Sequence, residues 1–117
     1  MALERRMGWV YLAIAIVLEV AGTTAMKYSE GFTKLWPSVW MFVLYALSFG
    51  ALTLSIRTVE LSVAYAVWAG VGTALIAVVA ILLFGAPVSV WKALSILLII
   101  VGVVGLHLGG AEAAPKT

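Results

Sequence analysis

Four long apolar runs, separated by short polar links, constrain the fold of this 117-residue chain more than any other feature. They cover about residues 8–27, 38–56, 61–84 and 90–108. About twenty apolar residues in a helix that rises 1.5 Å per residue cross the hydrocarbon of a bilayer. The chain is 65% hydrophobic and 10% charged, whereas soluble domains are about half apolar and about a quarter charged. The sequence therefore predicts an all-α integral membrane protein, a single domain of four transmembrane helices, with a flexible tail at 109–117.

The links between these runs are short, and turn residues mark their ends. Residues 1–7 are expected to form a polar tail before the first helix. Glu30 and Gly31 indicate a turn in the first loop, and Pro37 is expected to open the second helix. Residues 85–87, Gly-Ala-Pro, end the third run. Links of this length make consecutive helices antiparallel neighbours and place both termini on the same side of the membrane.

One acid, Glu19, lies at the centre of the first apolar run, GWVYLAIAIVLEVAGTTAM. A charged side chain at that depth costs about 2.5–3.5 kcal/mol on insertion scales. In apolar surroundings a carboxylate holds a proton reversibly or pairs with a cation. The alternative is an acid that only hydrogen-bonds to a neighbouring helix, but an amide side chain would do the same without the charge. We therefore expect Glu19 to bind protons and substrate.

The first helix presents mostly small or apolar side chains beside Glu19. Positions three, four and seven residues away share the helical face of the acid. These are Leu12, Ala15, Ile16, Gly22 and Thr23. A face of this kind leaves room for a substrate against the carboxylate, so these residues are candidate substrate contacts.

Aromatic side chains on the other helices are the second part of the predicted site. Tyr65, Trp68 and Gly72 share a face of the third helix, and Tyr45 and Ser48 lie one turn apart on the second. An aromatic ring attracts an organic cation by about 0.5–2 kcal/mol. A single aromatic residue in a membrane helix is more often packing than ligand. Together with a central carboxylate, however, these rings favour a cation-binding site. Gly70 and Gly72 also indicate a kink or hinge in the third helix.

The fourth run contains small residues that suit close helix contact. Ser95, Gly102 and Gly109 recur every seven residues, and Gly105 with Gly109 forms a GxxxG pattern. Small residues let membrane helices approach closely. One alternative is packing within a single subunit. Because four helices are too few to enclose a site and a pathway, we interpret these four residues as a dimer contact.

The basic residues give almost no instruction about orientation. Arg5, Arg6, Arg57 and Lys116 lie on the side of the termini, and Lys27, Lys34 and Lys92 lie on the other side. Basic residues favour the cytoplasmic side, and a balance of four to three leaves both orientations open. The sequence is therefore compatible with a homodimer of oppositely oriented subunits, although Arg5 and Arg6 alone would favour one orientation.

Several function classes are excluded by composition. The chain contains no cysteine, no aspartate and one histidine, too few ligands or catalytic groups for a metal centre or a hydrolytic triad. Nothing indicates a nucleotide or nucleic-acid site, and we expect neither an enzyme nor a cofactor. A carboxylate that binds either protons or a cation suits secondary antiport, in which a proton gradient drives the cation the other way.

The sequence resembles the small multidrug resistance transporters over residues 8–108. The motifs are LEVAGTTAMKYSEGFTKLWPS around Glu19, AYAVWAGVG at residues 64–72, and the small residues of the fourth helix. The resemblance implies an antiparallel, dual-topology homodimer in a bacterial inner membrane, in which both copies of Glu19 share one site. It also implies Tyr65 and Trp68 as site aromatics and Gly70 and Gly72 as a kink that differs between the copies.

The run EVAGTT resembles the EmrE-like branch, which exports quaternary ammonium and other organic cations, rather than the guanidinium-exporting branch, where a tryptophan follows the acid. Tyr45 fits the same branch. Gly50 and Ser95 depart from the usual pattern, in which a tryptophan and a glycine are expected. Export of guanidinium compounds, a non-transporting partner subunit and a passive channel remain alternatives.

Overall fold

The computed structural model describes residues 2–109 and consists of four helices: α1 (Ala2–Tyr28), α2 (Leu35–Ser55), α3 (Leu61–Phe84) and α4 (Val90–Leu108). Each is long and apolar enough to cross a membrane. The predicted all-helical, four-span architecture is therefore confirmed. The tail from residue 110 onward, with Lys116, lies outside the described residues.

Helix α1 differs from the sequence prediction at its start. It begins at Ala2, whereas residues 1–7 were expected to form a polar tail. The span with transmembrane character begins at Arg5. Hydropathy locates where a helix enters the membrane, but arginine and glutamate are good helix formers, so the helix continues beyond that point.

The ends of the other helices follow from local capping. Helix α2 begins two residues before Pro37, which is tolerated because the first-turn N–H groups have no partner within the helix. The Glu60 side chain accepts a hydrogen bond from the Val63 N–H at the start of α3, and that helix ends at Gly85 with a left-handed φ of 66°. Ser89 accepts from the Lys92 N–H in the same way at the start of α4.

The core is small and lies between α1, α3 and the link that precedes α3. Leu12, Ile16, Val59, Ala64 and Val67 form one buried cluster. Helix α1 packs against both α2 and α3, and α4 packs mainly against α3. No described residue of α4 is buried. Large apolar side chains cover the remaining surface, as expected of helices that face lipid.

Candidate functional site

The Glu19 carboxylate is held on one side by a chain of hydroxyl groups. The Thr23 hydroxyl, one turn further along α1, donates to Oε1 of Glu19 at 3.0 Å. The Thr23 and Tyr45 hydroxyl oxygens lie 2.6 Å apart. Since Thr23 has a single hydroxyl proton and gives it to Glu19, Tyr45 must donate to Thr23. The order Tyr45, Thr23, Glu19 therefore stabilises the ionised carboxylate, and each bond in such a chain polarises the next.

Gly22 makes this chain possible. A β-carbon at residue 22 would lie 2.6 Å from Cδ1 of the Tyr45 ring. Any larger side chain on α1 would push the ring away from Thr23. The Tyr45 ring of α2 thus packs on Gly22, and its hydroxyl bonds to the neighbouring Thr23. The sequence analysis did not predict this pair of contacts.

The second carboxylate oxygen faces α3. A β-carbon at residue 72 would lie 2.8 Å from Oε2 of Glu19, so Gly72 is needed for this close approach. Oε2 is buried and has no hydrogen-bond partner among the described residues. An unsatisfied buried carboxylate oxygen is costly, and a proton or a cation would remove that cost.

A cavity of about 280 Å³ opens beside Glu19. Its lining comes from one face of α3 and from the acid and its hydroxyl neighbour on α1: Glu19, Thr23, Trp68, Ala69, Gly72, Thr73 and Ile76. Most of this surface is apolar, and the Thr73 hydroxyl is already bonded to the Ala69 carbonyl at 2.7 Å. The cavity therefore combines one acid with an apolar wall.

Trp68 is the aromatic side chain of this wall, and two further rings hold it. Tyr65 meets it edge-on, with ring centroids 5.4 Å apart and planes at 71°. The Phe49 ring also contacts Trp68, with ring centroids 5.5 Å apart. Trp68 Nε1 is buried with no partner among the described residues. Tyr65 itself is 57% exposed and does not line the cavity, so in this single chain it contacts Trp68 rather than the acid.

Four of the predicted contact residues pack elsewhere. Leu12, Ala15 and Ile16 are buried within the chain, and Leu12 and Ile16 belong to the core cluster. The buried Ser48 hydroxyl donates to the Ala15 carbonyl at 2.7 Å, which joins α2 to α1. None of the four lines the cavity.

Conversely, the sequence analysis did not select Ala69, Thr73 and Ile76. They belong to one stripe of α3 that runs through positions i, i+1, i+4, i+5 and i+8, which are Trp68, Ala69, Gly72, Thr73 and Ile76. That stripe was readable from the sequence once Trp68 and Gly72 had been placed on the site. The sequence analysis considered only aromatic residues and glycines on this helix, and it therefore missed the other three residues.

The remaining predicted glycines have two different surroundings. Helix α3 runs without interruption through Gly70, where a β-carbon would touch Ile99 and Val103 of α4 at 3.0 Å. Gly70 therefore permits close packing of α3 and α4. On α4, Ser95, Gly102, Gly105 and Gly109 are exposed, and β-carbons at Gly102 and Gly105 would meet nothing within 4 Å. Within residues 2–109, the predicted seam therefore has no packing partner at Gly102 and Gly105.

Within residues 2–109 no group of three or more His, Cys, Asp or Glu side chains is suited to hold a metal ion. This cavity offers a ligand a single acid, with the hydroxyl chain bonded to it, and an aromatic wall. Such a site suits a cation with an apolar body.

Comparison with known proteins identifies the family. The sequence profile described as Small Multidrug Resistance protein matches residues 7–99. The chain belongs to this family. The resemblance drawn from the sequence is therefore confirmed, and the protein is a multi-pass membrane protein.

Relatives match along nearly the whole chain. "Multidrug resistance protein EbrB" of Bacillus subtilis is 48% identical over 109 residues, 93% of each chain. "Quaternary ammonium compound-resistance protein QacE" of Escherichia coli is 46% identical over 101 residues, which cover 86% of this chain and 92% of QacE. "Uncharacterized membrane protein YvaE" of Bacillus subtilis is 54% identical over 102 residues, 87% of this chain and 86% of its own.

Proposed function

We propose that this protein is a proton-coupled antiporter that exports bulky hydrophobic, aromatic or quaternary ammonium cations from a bacterial cell. The observation on which this rests is that Glu19 lines the cavity while its buried Oε2 has no hydrogen-bond partner among the described residues. The names of the multidrug and quaternary ammonium resistance relatives support the substrate class.

The coupling follows from competition at one carboxylate. A protonated Glu19 is neutral and has no attraction for a cation, whereas the ionised form binds it. Proton entry then displaces the cation, and cation binding displaces the proton. The two never share the acid, so a proton gradient drives cation export without a cofactor.

The cavity wall favours apolar organic cations over guanidinium compounds. A guanidinium group is planar and offers five N–H donors when it carries one substituent and six as the free ion, and it needs acceptors for them. Besides the Glu19 carboxylate, the side-chain acceptors among the lining residues are the hydroxyl oxygens of Thr23 and Thr73, and Thr23 Oγ1 is already bonded to the Tyr45 hydroxyl. These are too few to accept every N–H of such an ion. The Trp68 ring and the alkyl side chains instead suit a large cation with little hydration.

The working unit is proposed to be a homodimer of two oppositely oriented subunits in the inner membrane. The exposed stripe of Ser95, Gly102, Gly105 and Gly109 provides a surface for close contact between the fourth helices. A second copy would also close the open side of the cavity and bring a second Glu19 to it. Gly70 and Gly72 are proposed to let α3 bend differently in the two copies.

Transport in proteoliposomes tests the proposal. Protein is reconstituted, a proton gradient is imposed, and uphill movement of tetraphenylphosphonium is followed beside that of guanidinium. The proposal expects tetraphenylphosphonium transport that collapses with the gradient and is lost in Glu19→Gln. Guanidinium transport alone would indicate the other branch of the family. Proton leak that no substrate suppresses would indicate a channel, and no transport of either ion would indicate a partner subunit.

A further inference from the structure

A second cavity adjoins the first one on the side where α1 and α3 end. It has a volume of about 320 Å³, and Thr23 and Ile76 line both cavities. Its other walls are Thr24, Lys27, Val79, Ala80, Phe84 and Ala86. The two cavities together form a groove between α1 and α3, with Glu19 at the inner end.

Lys27 is the cation at the outer end of this groove. Its Nζ lies 6.0 Å from the centroid of the Phe84 ring, a contact that directs the ammonium group toward the groove wall. Among the described residues no carboxylate forms an ion pair with it. The ammonium group is therefore free to bind an anionic group of a ligand.

The rest of the second cavity offers no competing charge. Thr24 gives its hydroxyl proton to the Val20 carbonyl at 2.8 Å, and Ile76, Val79 and Ala80 are apolar. Lys27 follows Glu19 by eight positions, about 12 Å along the helix axis. The groove thus has a negative inner end, a positive outer end and an apolar middle.

We infer that Lys27 forms an anion subsite, and that the groove binds zwitterions whose quaternary ammonium group and carboxylate are joined by an alkyl chain. The ammonium group pairs with Glu19, the chain lies against Ile76 and Val79, and the carboxylate pairs with Lys27. This inference rests on the proposed function, because it assumes that Glu19 binds the cationic end.

The test compares (trimethylammonio)alkanoates of increasing chain length, each beside its methyl ester, which keeps the cation and removes the anion. Binding to purified protein is measured in neutral detergent without anionic lipid, so that no lipid phosphate competes for Lys27. At the best chain length we expect the carboxylate to bind about three- to tenfold more tightly than its ester. Since this comparison uses the unaltered protein, it does not depend on a variant that folds.

Substitution at position 27 then shows whether Lys27 causes the preference for the carboxylate over its ester. In Lys27→Gln the carboxylate-to-ester preference should disappear or reverse, because only the repulsion by Glu19 remains, while ester affinity is kept. Lys34→Gln is the matched control, since this lysine belongs to the same loop region but lines a different cavity. It should leave the preference unchanged.

Two results overturn the inference, and a third overturns the function as well. An equal preference in the unaltered protein and in Lys27→Gln would remove Lys27 from the site. An equal loss in Lys34→Gln would show a general charge effect. If the methyl esters and tetraphenylphosphonium do not bind the unaltered protein at all, the proposed cation site itself is wrong.

Discussion

Gly72 of α3 lies so close to Glu19 of α1 that a β-carbon at position 72 would come within 2.8 Å of the carboxylate oxygen Oε2. The sequence analysis had interpreted this glycine as part of a hinge. The structure gives it a role that is independent of bending. It lets the α3 backbone approach the acid, and both residues line the cavity.

Gly72→Ala should therefore impair cation binding more than folding. The atom in the way is the end of a flexible side chain, so the carboxylate can move, but it then leaves its present position at the cavity that it lines with Trp68. Misplacement of a reacting group by about 1 Å is costly, and we expect tetraphenylphosphonium affinity to fall roughly tenfold or more.

Gly50→Ala is the matched control for that experiment, because a β-carbon at position 50 would meet nothing within 4 Å. Both changes raise helix propensity by a similar amount, so thermal unfolding in detergent should be similar for the two variants. Unchanged affinity in Gly72→Ala would contradict the importance of this close approach.

The chain from Tyr45 through Thr23 to Glu19 predicts a specific pattern of coupling. Thr23→Val and Tyr45→Phe should each weaken cation binding at the pH values where protons compete with the cation, because the ionised carboxylate then loses hydrogen-bond support, and a bond to a charged group contributes about 1.5–3 kcal/mol. Since Tyr45 acts on Glu19 only through Thr23, the double variant should bind no more weakly than Thr23→Val alone.

Thr23→Ser keeps the hydroxyl group and should retain most of the affinity. Binding isotherms of the four proteins in the double-mutant cycle provide the measurement. Effects that simply add would mean that the two hydroxyl groups act separately, for instance by direct contact with the cation.

The predicted dual orientation can be examined because the chain has no cysteine of its own. A single cysteine at the exposed Thr33 should react with a membrane-impermeant thiol reagent from both sides of the membrane in comparable amounts. Lys34→Ala in the same protein removes one basic residue from that side, so the fraction labelled from outside should rise. Labelling from one side only would contradict dual topology.

Consecutive helices were expected to be neighbours, but α1 packs against α3 as well as α2, and α2 shares few contacts with α3. The site around Glu19 remains a prediction, and the sequence did not predict the allocation of every face. Helical periodicity places Leu12, Ala15 and Ile16 on the side of Glu19. It does not say which helix covers each position, and α2 and the core cover these three. Thr23 and Trp68, in contrast, do line the cavity.

Close approaches between helices were the other feature beyond sequence reasoning. Gly22 and Gly72 both lie at contacts where another helix comes nearer than a β-carbon would permit. A glycine in an apolar helix is equally compatible with a kink, a packing contact or exposure to lipid. Only the placement of Tyr45 and Glu19 distinguishes these cases.

Outside the membrane, Glu60 gives the fold a defined pH dependence. Hydrogen bonds from the Ser62 hydroxyl and the Val63 N–H lower the pKa of this exposed carboxyl at the start of α3. A lowered folded-state pKa favours folding above the unfolded value, about 4.3 for glutamate, and this contribution is lost as the pH falls through the lower folded value.

Thermal unfolding in detergent between neutral pH and about pH 3 measures this effect, the window being set by the ordinary glutamate pKa and the lowered folded one. Glu60→Gln should make the acid side of the profile flatter, and Ser62→Ala should do so in part. Glu30→Gln, at an exposed loop position, is the control. An identical acid slope in Glu60→Gln and the unaltered protein would refute the prediction.

Competition between protons and a cation at Glu19 is the central claim, and equilibrium binding of tetraphenylphosphonium as a function of pH tests it most directly. The account predicts that affinity rises with pH in the unaltered protein and that Glu19→Gln loses binding at every pH while remaining folded. Affinity independent of pH, or full binding by Glu19→Gln, would contradict it.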